Sequence, residues 1–318
     1  MKNIQRFFGY RLLAIGMVFT ACGPDARLDL VGNIIGSAPR TDVRFVDSEK
    51  YNAEHPFVTI KAPVENYRVY VCTDTHITTD FYNWQNFIRA YRADLLCPVA
   101  LHLGDIVDAS NHYPDVVNSF NEIPRNPFKP DTMMLVAGNH DICFKQWDTY
   151  LETFKTSVYY FIVETPLKQK DLYIMYDSAD GTLGKNQLKW LRETLEWADK
   201  QDFRHIVAGS HTHFFMRDNS QGIATNYSIE ETYTLLRLFQ SYGVDMLLTG
   251  HSHVTSSNTG FISCYEIFQL GNFLLLSLIS SFQLRFFHFI HFHELVIVAY
   301  ISVQTLIFHV VDQVDNTV

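Results

Sequence analysis

The chain has 318 residues, 47% of them hydrophobic, and a formal net charge of -9. That length and apolar content support one large or two small domains with a sizeable core and exclude a disordered chain. The acidic balance, with no dense Lys/Arg stripe, speaks against holding a nucleic-acid backbone through counterion release, so nucleic acid is not an expected partner. Net charge does not fix the local field, because a pair of divalent cations would dominate one cleft even on an anionic protein.

In chain order, Lys2, Arg6 and Arg11 give a basic start and residues 12–21 form a charge-free apolar run, the anatomy of an export signal and too short to span a bilayer comfortably. Val18-Phe19-Thr20-Ala21-Cys22 resembles a bacterial lipobox, with Phe19 where that motif mostly carries Leu. Residues 1–22 are therefore expected to be a signal peptide. Cys22 would carry a lipid anchor to the membrane, and the protein would be exported to the cell envelope, periplasmic or on the outer surface. An ordinary signal peptide with a chance cysteine is the alternative. The remaining cysteines, Cys72, Cys97, Cys143 and Cys264, are too sparse for a disulfide framework and read as buried thiols.

Residues 23–61 mix prolines and glycines without a sustained period and read as a tether and lead-in segment. From there, residues 67–72 have the β-branched and aromatic content of a strand. Phe81, Trp84, Phe87, Ile88, Tyr91 and Leu95 follow at helical spacing, a stripe that belongs to a core. Strands are predicted at 99–103 and 133–137, with a Pro- and Asn-rich loop at 111–131 between them as a candidate rim of a site. A helix marked by Phe144, Trp147, Leu151 and Phe154 precedes paired strands at 158–163 and 171–176. Leu188, Leu191 and Leu195 give the next helix an apolar face, widened by Trp190 and Trp197. A strand at 205–208 follows. Ser228 and Glu231 have capping-box spacing for a helix that ends near Gly243, and a last strand covers 244–248.

Five short motifs sit at the C-terminal ends of these strands, where open α/β sheets place their ligands. They are Asp74-Thr75-His76, Gly104-Asp105-Ile106-Val107-Asp108, Gly138-Asn139-His140-Asp141, Ser210-His211-Thr212-His213 and Gly250-His251-Ser252-His253. In an extended segment Asp74 and His76 point the same way and can share one cation. Asp105 is the natural bridge, one oxygen to each of two metals. Asn139 offers a neutral oxygen, His211 and His251 neutral imidazoles, and His253 can turn back to the first metal. His213 is a rival to His211 as ligand. Two divalent cations less two carboxylates and a bridging hydroxide leave a positive site, a receptor for phosphate, and lower the pKa of bridging water so that it can attack phosphorus in line. His140 is then the candidate general acid and Asp108 the partner that orients and charges it.

These motifs, in this order and spacing over residues 67–254, resemble the calcineurin-like metallophosphoesterase superfamily. Asp177-Ser178, followed by Gln187-Leu188-Lys189-Trp190-Leu191, is similar to a segment common in its exported phosphohydrolases. The resemblance implies an α/β fold, a four-layer αββα sandwich of two mixed β-sheets with a dinuclear metal site at the strand ends. It implies one metal held by Asp74, His76, Asp105 and His253, a second by Asp105, Asn139, His211 and His251, and His140 with Asp108 as the acid dyad. It also implies two divalent ions, Mn, Fe or Zn, between which mixed nitrogen and oxygen ligands do not discriminate. Asp108 stands where purple acid phosphatases of the superfamily carry a Tyr ligand, so a charge-transfer iron site is not expected. Ala109-Ser110 stands where its protein phosphatases carry Arg-Gly, which argues against a phosphoprotein substrate.

The catalytic domain on this reading covers 62–260, and residues 261–318 form an atypical hydrophobic tail. Residues 267–284 and 295–311 carry no charge, and the run between them is nearly all Phe and His, including His288, His291 and His293. A membrane hairpin, buried closing strands and a divergent or damaged terminus all fit this composition. The expected activity is hydrolysis of a small phosphomonoester or phosphodiester, with no protein partner indicated. The alternatives are a nuclease and a non-catalytic envelope lipoprotein that binds metal or phosphorylated ligands.

Overall fold

The computed structural model describes residues 38–214, 227–251, 296–301 and 306–311. The signal-like segment with Cys22, His253, Cys264 and the Phe/His-rich run lie outside the described residues. Helix α1 (Thr41–Glu54) and strand β1 (Thr59–Lys61) come first, which corrects the reading of 23–61 as tether and lead-in alone. Thr41, Arg44, Phe45, Ser48 and Asn52 form the buried stripe of α1. They recur at helical spacing but are mostly polar, so a search for hydrophobic period passes over them.

Strand β2 (Arg68–Cys72), helix α2 (Tyr82–Ala93), strand β3 (Val99–His102), helix α3 (Tyr113–Glu122) and strand β4 (Thr132–Leu135) make two parallel crossovers. Helix α3 corrects the loop expected at 111–131. Pro114 sits in its first turn, where a missing N–H costs nothing. Tyr113 and Val116 are buried, with Phe120 packed beside them, at helical spacing. A single turn, α4 (Asn139–Ile142), and helix α5 (Gln146–Phe154) then lead to the antiparallel pair β5 (Tyr159–Glu164) and β6 (Lys170–Met175). Helix α6 (Gly184–Ala198), strand β7 (Phe203–Gly209), helix α7 (Ile229–Ser241) and strand β8 (Met246–Leu248) complete the second half. Ser228 caps α7 by accepting from Glu231 N (3.1 Å), while the Glu231 carboxylate accepts from Leu183 N (2.7 Å) and ties α7 to the start of α6.

Strands β9 (Val296–Ile301) and β10 (Leu306–Val311) answer the question of the tail at those residues: β9 pairs antiparallel with β2, with Val69 opposite Ala299, and β10 pairs with β9. No helix among the described residues is long and apolar enough to cross a membrane. The described residues form two mixed five-stranded sheets, ordered β10-β9-β2-β3-β4 and β1-β5-β6-β7-β8. Alternate residues of each strand go to opposite faces. Val69, Val71, Val99 and Leu101 of the first sheet meet Phe161, Val163, Tyr173 and Met175 of the second in one shared core. On the outer faces, Cys72 and Ala100 pack under α2, α3 and α5, while Leu172, Ile174 and Ala208 pack under α6 and α7. The layers are therefore αββα, and the parallel strands of both sheets end at one edge. Among the described residues Cys72 and Cys97 are buried thiols outside any disulfide and Cys143 is a partly buried one.

Candidate metal centre

The loops leaving β2 and β3 run side by side beyond the strands. Asp74 N donates to Gly104 O, His76 N to Asp105 O and Ile77 N to Ile106 O, each at 3.0 Å. This continued pairing holds Asp74 (φ 53°), His76 (φ 42°) and Asp105 (φ 53°) in the left-handed region. Side chains that leave a strand in that conformation turn toward the sheet edge instead of alternating across it. Gly104 (φ 93°) makes the turn possible, and a Cβ there would lie 2.6 Å from Gly138 N. The third loop thus packs directly on the second.

Two residues that the sequence reading did not single out join these loops. His102 is fully buried. Its Nδ1 accepts from Gly104 N (3.2 Å), so its Nε2 donates to Thr75 Oγ1 (2.9 Å). Burial pushes its pKa down to about 3, which keeps it a neutral strut. Asp141, the last residue of the third motif, accepts from Gly138 N and Asp105 N (both 2.8 Å), Ile106 N (3.3 Å) and Tyr113 Oη (2.8 Å). It staples the second and third motifs together and leaves Asn139 and Asp105 to face the site. A signal was available for His102, a titratable residue in an otherwise apolar strand, and Asp141 stood within the third motif, but the partners of both are set by the fold.

Six of the expected ligands converge. His211 is fully buried, and its Nδ1 lies 2.8 Å from Leu103 O, which only accepts, so Nδ1 carries the proton. Its Nε2 then faces Asn139 Oδ1 at 3.0 Å, His251 Nδ1 at 3.2 Å and Asp105 Oδ2 at 3.3 Å. On the other side of Asp105, His76 Nε2 lies 3.6 Å from the same Oδ2, and Asp74, His76 and Asp105 form a second close cluster. The Asp74 carboxylate also accepts from His251 N (2.8 Å), and Asp105 Oδ1 from His140 N (2.8 Å). His213 is buried but belongs to no such cluster among the described residues.

Electrostatics follow from that convergence. Burial alone would raise Asp105, but His211, then His140 and His76, overrule it and hold the carboxyl below the usual range. Burial alone would lower His211, but the Asp105 carboxylate, aided by Asp74, lifts it to about 10. A proton on Nε2, among three acceptors, stands where a cation would. The donor set, two carboxylates, an amide oxygen and three imidazoles around two adjoining points, suits two borderline divalent ions.

At the mouth, Asp108 Oδ1 lies 2.6 Å from His76 Nδ1 and 3.6 Å from His140 Nδ1, and the two imidazole rings meet edge to face at 4.6 Å. The carboxylate expected to serve His140 alone thus bonds first to His76. A ligand imidazole held at Nδ1 presents Nε2 to its metal, the usual second role of such a carboxylate.

Comparison with known proteins places this geometry. The family model for calcineurin-like phosphoesterases matches residues 67–255. No curated protein matches the chain. Twenty solved chains match it, among them a purple acid phosphatase from yellow lupin (Lupinus luteus) seeds, at 15% identity and a TM-score of 0.45. That likeness covers 60% of this chain and 38% of the lupin chain. The family match takes in more than half of the sequence and every residue of the two clusters, so the chain belongs to the calcineurin-like phosphoesterases.

Proposed function

We propose that the chain hydrolyses a small phosphomonoester or phosphodiester, with Asp74, His76, Asp105 and His253 holding one divalent ion and Asp105, Asn139, His211 and His251 the other. The observation that carries this reading is the placement of Asp105 Oδ2 between His76 Nε2 (3.6 Å) and His211 Nε2 (3.3 Å), the position of a ligand shared by two ions. When bound, the metal pair supplies Lewis acidity for the phosphoryl oxygens and acidifies water. His140, with 44% of its side chain exposed at the mouth, keeps Nδ1 toward Asp108 and delivers a proton from Nε2 to the leaving oxygen. Asp108 supports both imidazoles, fixing the tautomer of His76 and orienting the ring of His140. The signal-like start and the lipobox-like Cys22 support an envelope location with a lipid anchor. Loss of membrane association on Cys22→Ser checks that part.

The test is Mn-dependent hydrolysis of a chromogenic phosphomonoester and its diester analogue by protein starting after Cys22. Turnover that disappears with Asp105→Asn supports the mechanism, and the preferred ester separates phosphatase from phosphodiesterase. Turnover that survives Asp105→Asn overturns it. Metal binding without turnover of either ester, or of DNA, would favour a phospholigand-binding role.

A further inference from the structure

Helix α1 lies before the family-matched segment, which begins at residue 67, yet it reaches the back of the candidate centre at two places. The first runs through Arg44, which is fully buried. Its Nε donates to Asp177 Oδ2 (2.7 Å) and its Nη2 to Asp177 Oδ1 (3.0 Å) and Asp180 Oδ1 (2.9 Å), and Thr41 Oγ1 donates to the same Asp180 oxygen (2.6 Å). Between those carboxylates lies Ser178, whose Oγ accepts from His211 N (3.1 Å) and Thr212 N (2.8 Å), while Thr212 Oγ1 donates back to Ser178 O. The loop that presents His211 therefore hangs on a serine hydroxyl set in place by an arginine of α1. All of Arg44, Asp177, Ser178, His211 and Thr212 are buried.

The second connection runs through Ser48. Its Oγ accepts from Ser157 N (3.1 Å), and Ser157 Oγ accepts from Ala137 N (2.8 Å), the peptide that leads into Gly138-Asn139. Asn52 Nδ2 donates to Val158 O (2.6 Å) and fixes the same turn. One helix thus braces the segments bearing Asn139 and His211. The loop bearing Asp74 and His76 is held instead by the segment that follows β3, with Asp74 N donating to Gly104 O and His76 N to Asp105 O. A bracing hydrogen bond that holds a ligand in place changes metal affinity by about 10- to 100-fold.

We propose that α1 is a positioning element for the second ion alone, with Ser178 and Ser48 as the positioning residues, so that chain outside the family match sets how tightly that ion is held. The proposal rests on the assignment of Asn139 and His211 to the second ion. A helix that only added stability would weaken both ions together or neither.

The test uses the full chain from residue 23, stripped of metal and titrated with Mn by calorimetry, with electron paramagnetic resonance at each loading. Wild type is expected to bind two ions and show an exchange-coupled pair. Ser178→Ala removes the hydroxyl shared by two peptide N–H groups. It should bind the first ion normally and the second about 10- to 100-fold more weakly, with isolated Mn at loadings where wild type is coupled. Ser48→Ala, a milder change on the other connection, should show the same selectivity and serves if Ser178→Ala does not fold. Two ions bound with wild-type affinity in the folded variants, or both ions weakened equally, would overturn the proposal and leave the two-ion reading standing. Fewer than two ions in wild type would sink that reading and this proposal with it.

Discussion

Asp141→Asn isolates the staple between the second and third motifs. An asparagine keeps the shape and one carbonyl oxygen, which can stay with Gly138 N and Asp105 N, both 2.8 Å from the native Oδ2. Its amide then turns toward Tyr113 Oη, which can rotate to accept, and toward Ile106 N, which cannot. Two charge-assisted bonds fall from about 1.5–3 to about 0.5–1.5 kcal/mol each, and one buried N–H left unpaired costs about 1–3 kcal/mol. The sum is roughly 3–6 kcal/mol, a large part of the roughly 5–15 kcal/mol that holds a domain folded. At roughly 2–4 °C per kcal/mol the metal-free variant should melt on the order of 10 °C below wild type. Circular dichroism on metal-stripped protein at about pH 8, where the carboxylate form prevails, reads this directly. Burial and the Asp105 charge push the Asp141 carboxyl up to about 7, against the pull of Gly138 N–H and Tyr113. A variant that melts within about 2 °C of wild type would mean that Asp141 acts as a neutral acid, and would refute the charged staple.

Asp105→Asn removes the proposed shared ligand and should reduce hydrolysis by about a hundredfold or more, checked by the chromogenic esters under saturating Mn. Chelation should abolish turnover and lower the melting point, since an ion present at about 100 times its Kd adds about 2.7 kcal/mol. Readdition of Mn should restore both, and an unchanged melting point would count against a folded-state metal site. Gly138→Ala would drive a methyl into the Asp105 carboxylate, so it should lose metal binding, measured by calorimetry, before it loses the fold. Away from the centre, His205 Nδ1 lies 3.5 Å from Asp245 Oδ2, and its bond to Asp245 outweighs burial and raises the pKa. A raised histidine contributes stability that is complete below its unfolded value, about 6.5, and is lost as pH rises through the folded value. His205→Gln should therefore lower the melting point more at about pH 6 than at about pH 8, and equal losses at both would contradict the pairing.

The catalytic motifs were legible because each couples a strand end to a polar ligand within a few residues, and local sequence fixes that coupling. Strand β3 and the Gly104-Asp105 turn, or β7 and Ser210-His211, illustrate it. Helix α1 was not legible, since its inward face is Thr41, Arg44, Ser48 and Asn52 around a single Phe45, and partners for those groups come from residues more than a hundred positions away. Helix α3 was hidden by Pro114 and the asparagines around it, which read as a loop until Tyr113, Val116 and Phe120 are seen to share a face. The apolar residues of 296–311 suit a strand or a membrane span equally, and only pairing with β2, some 230 positions earlier, distinguishes them. Asp108 shows the same limit within a motif. Its spacing from Asp105 was evident, but its preference for His76 over His140 depends on how two loops lie together.

Backbone strain at the centre has a consequence for how the site works. Asp74, His76, Asp105 and His251 all have positive φ, from 42° to 73°, among the few non-glycine residues that do. Each costs about 1 kcal/mol, since aspartate and histidine tolerate this region better than branched residues. The metal-free chain must offset that cost, together with the crowding of Asp74 and Asp105 against each other. Backbone hydrogen bonds supply part of the compensation: Asp74 N donates to Gly104 O, His76 N to Asp105 O, and His251 N to the Asp74 carboxylate. The buried His211 proton supplies charge balance. If these residues ligate as proposed, they need not reorganise when ions arrive, so the binding free energy of the metals would go into affinity and into the field at the site, and little of it into ordering loops.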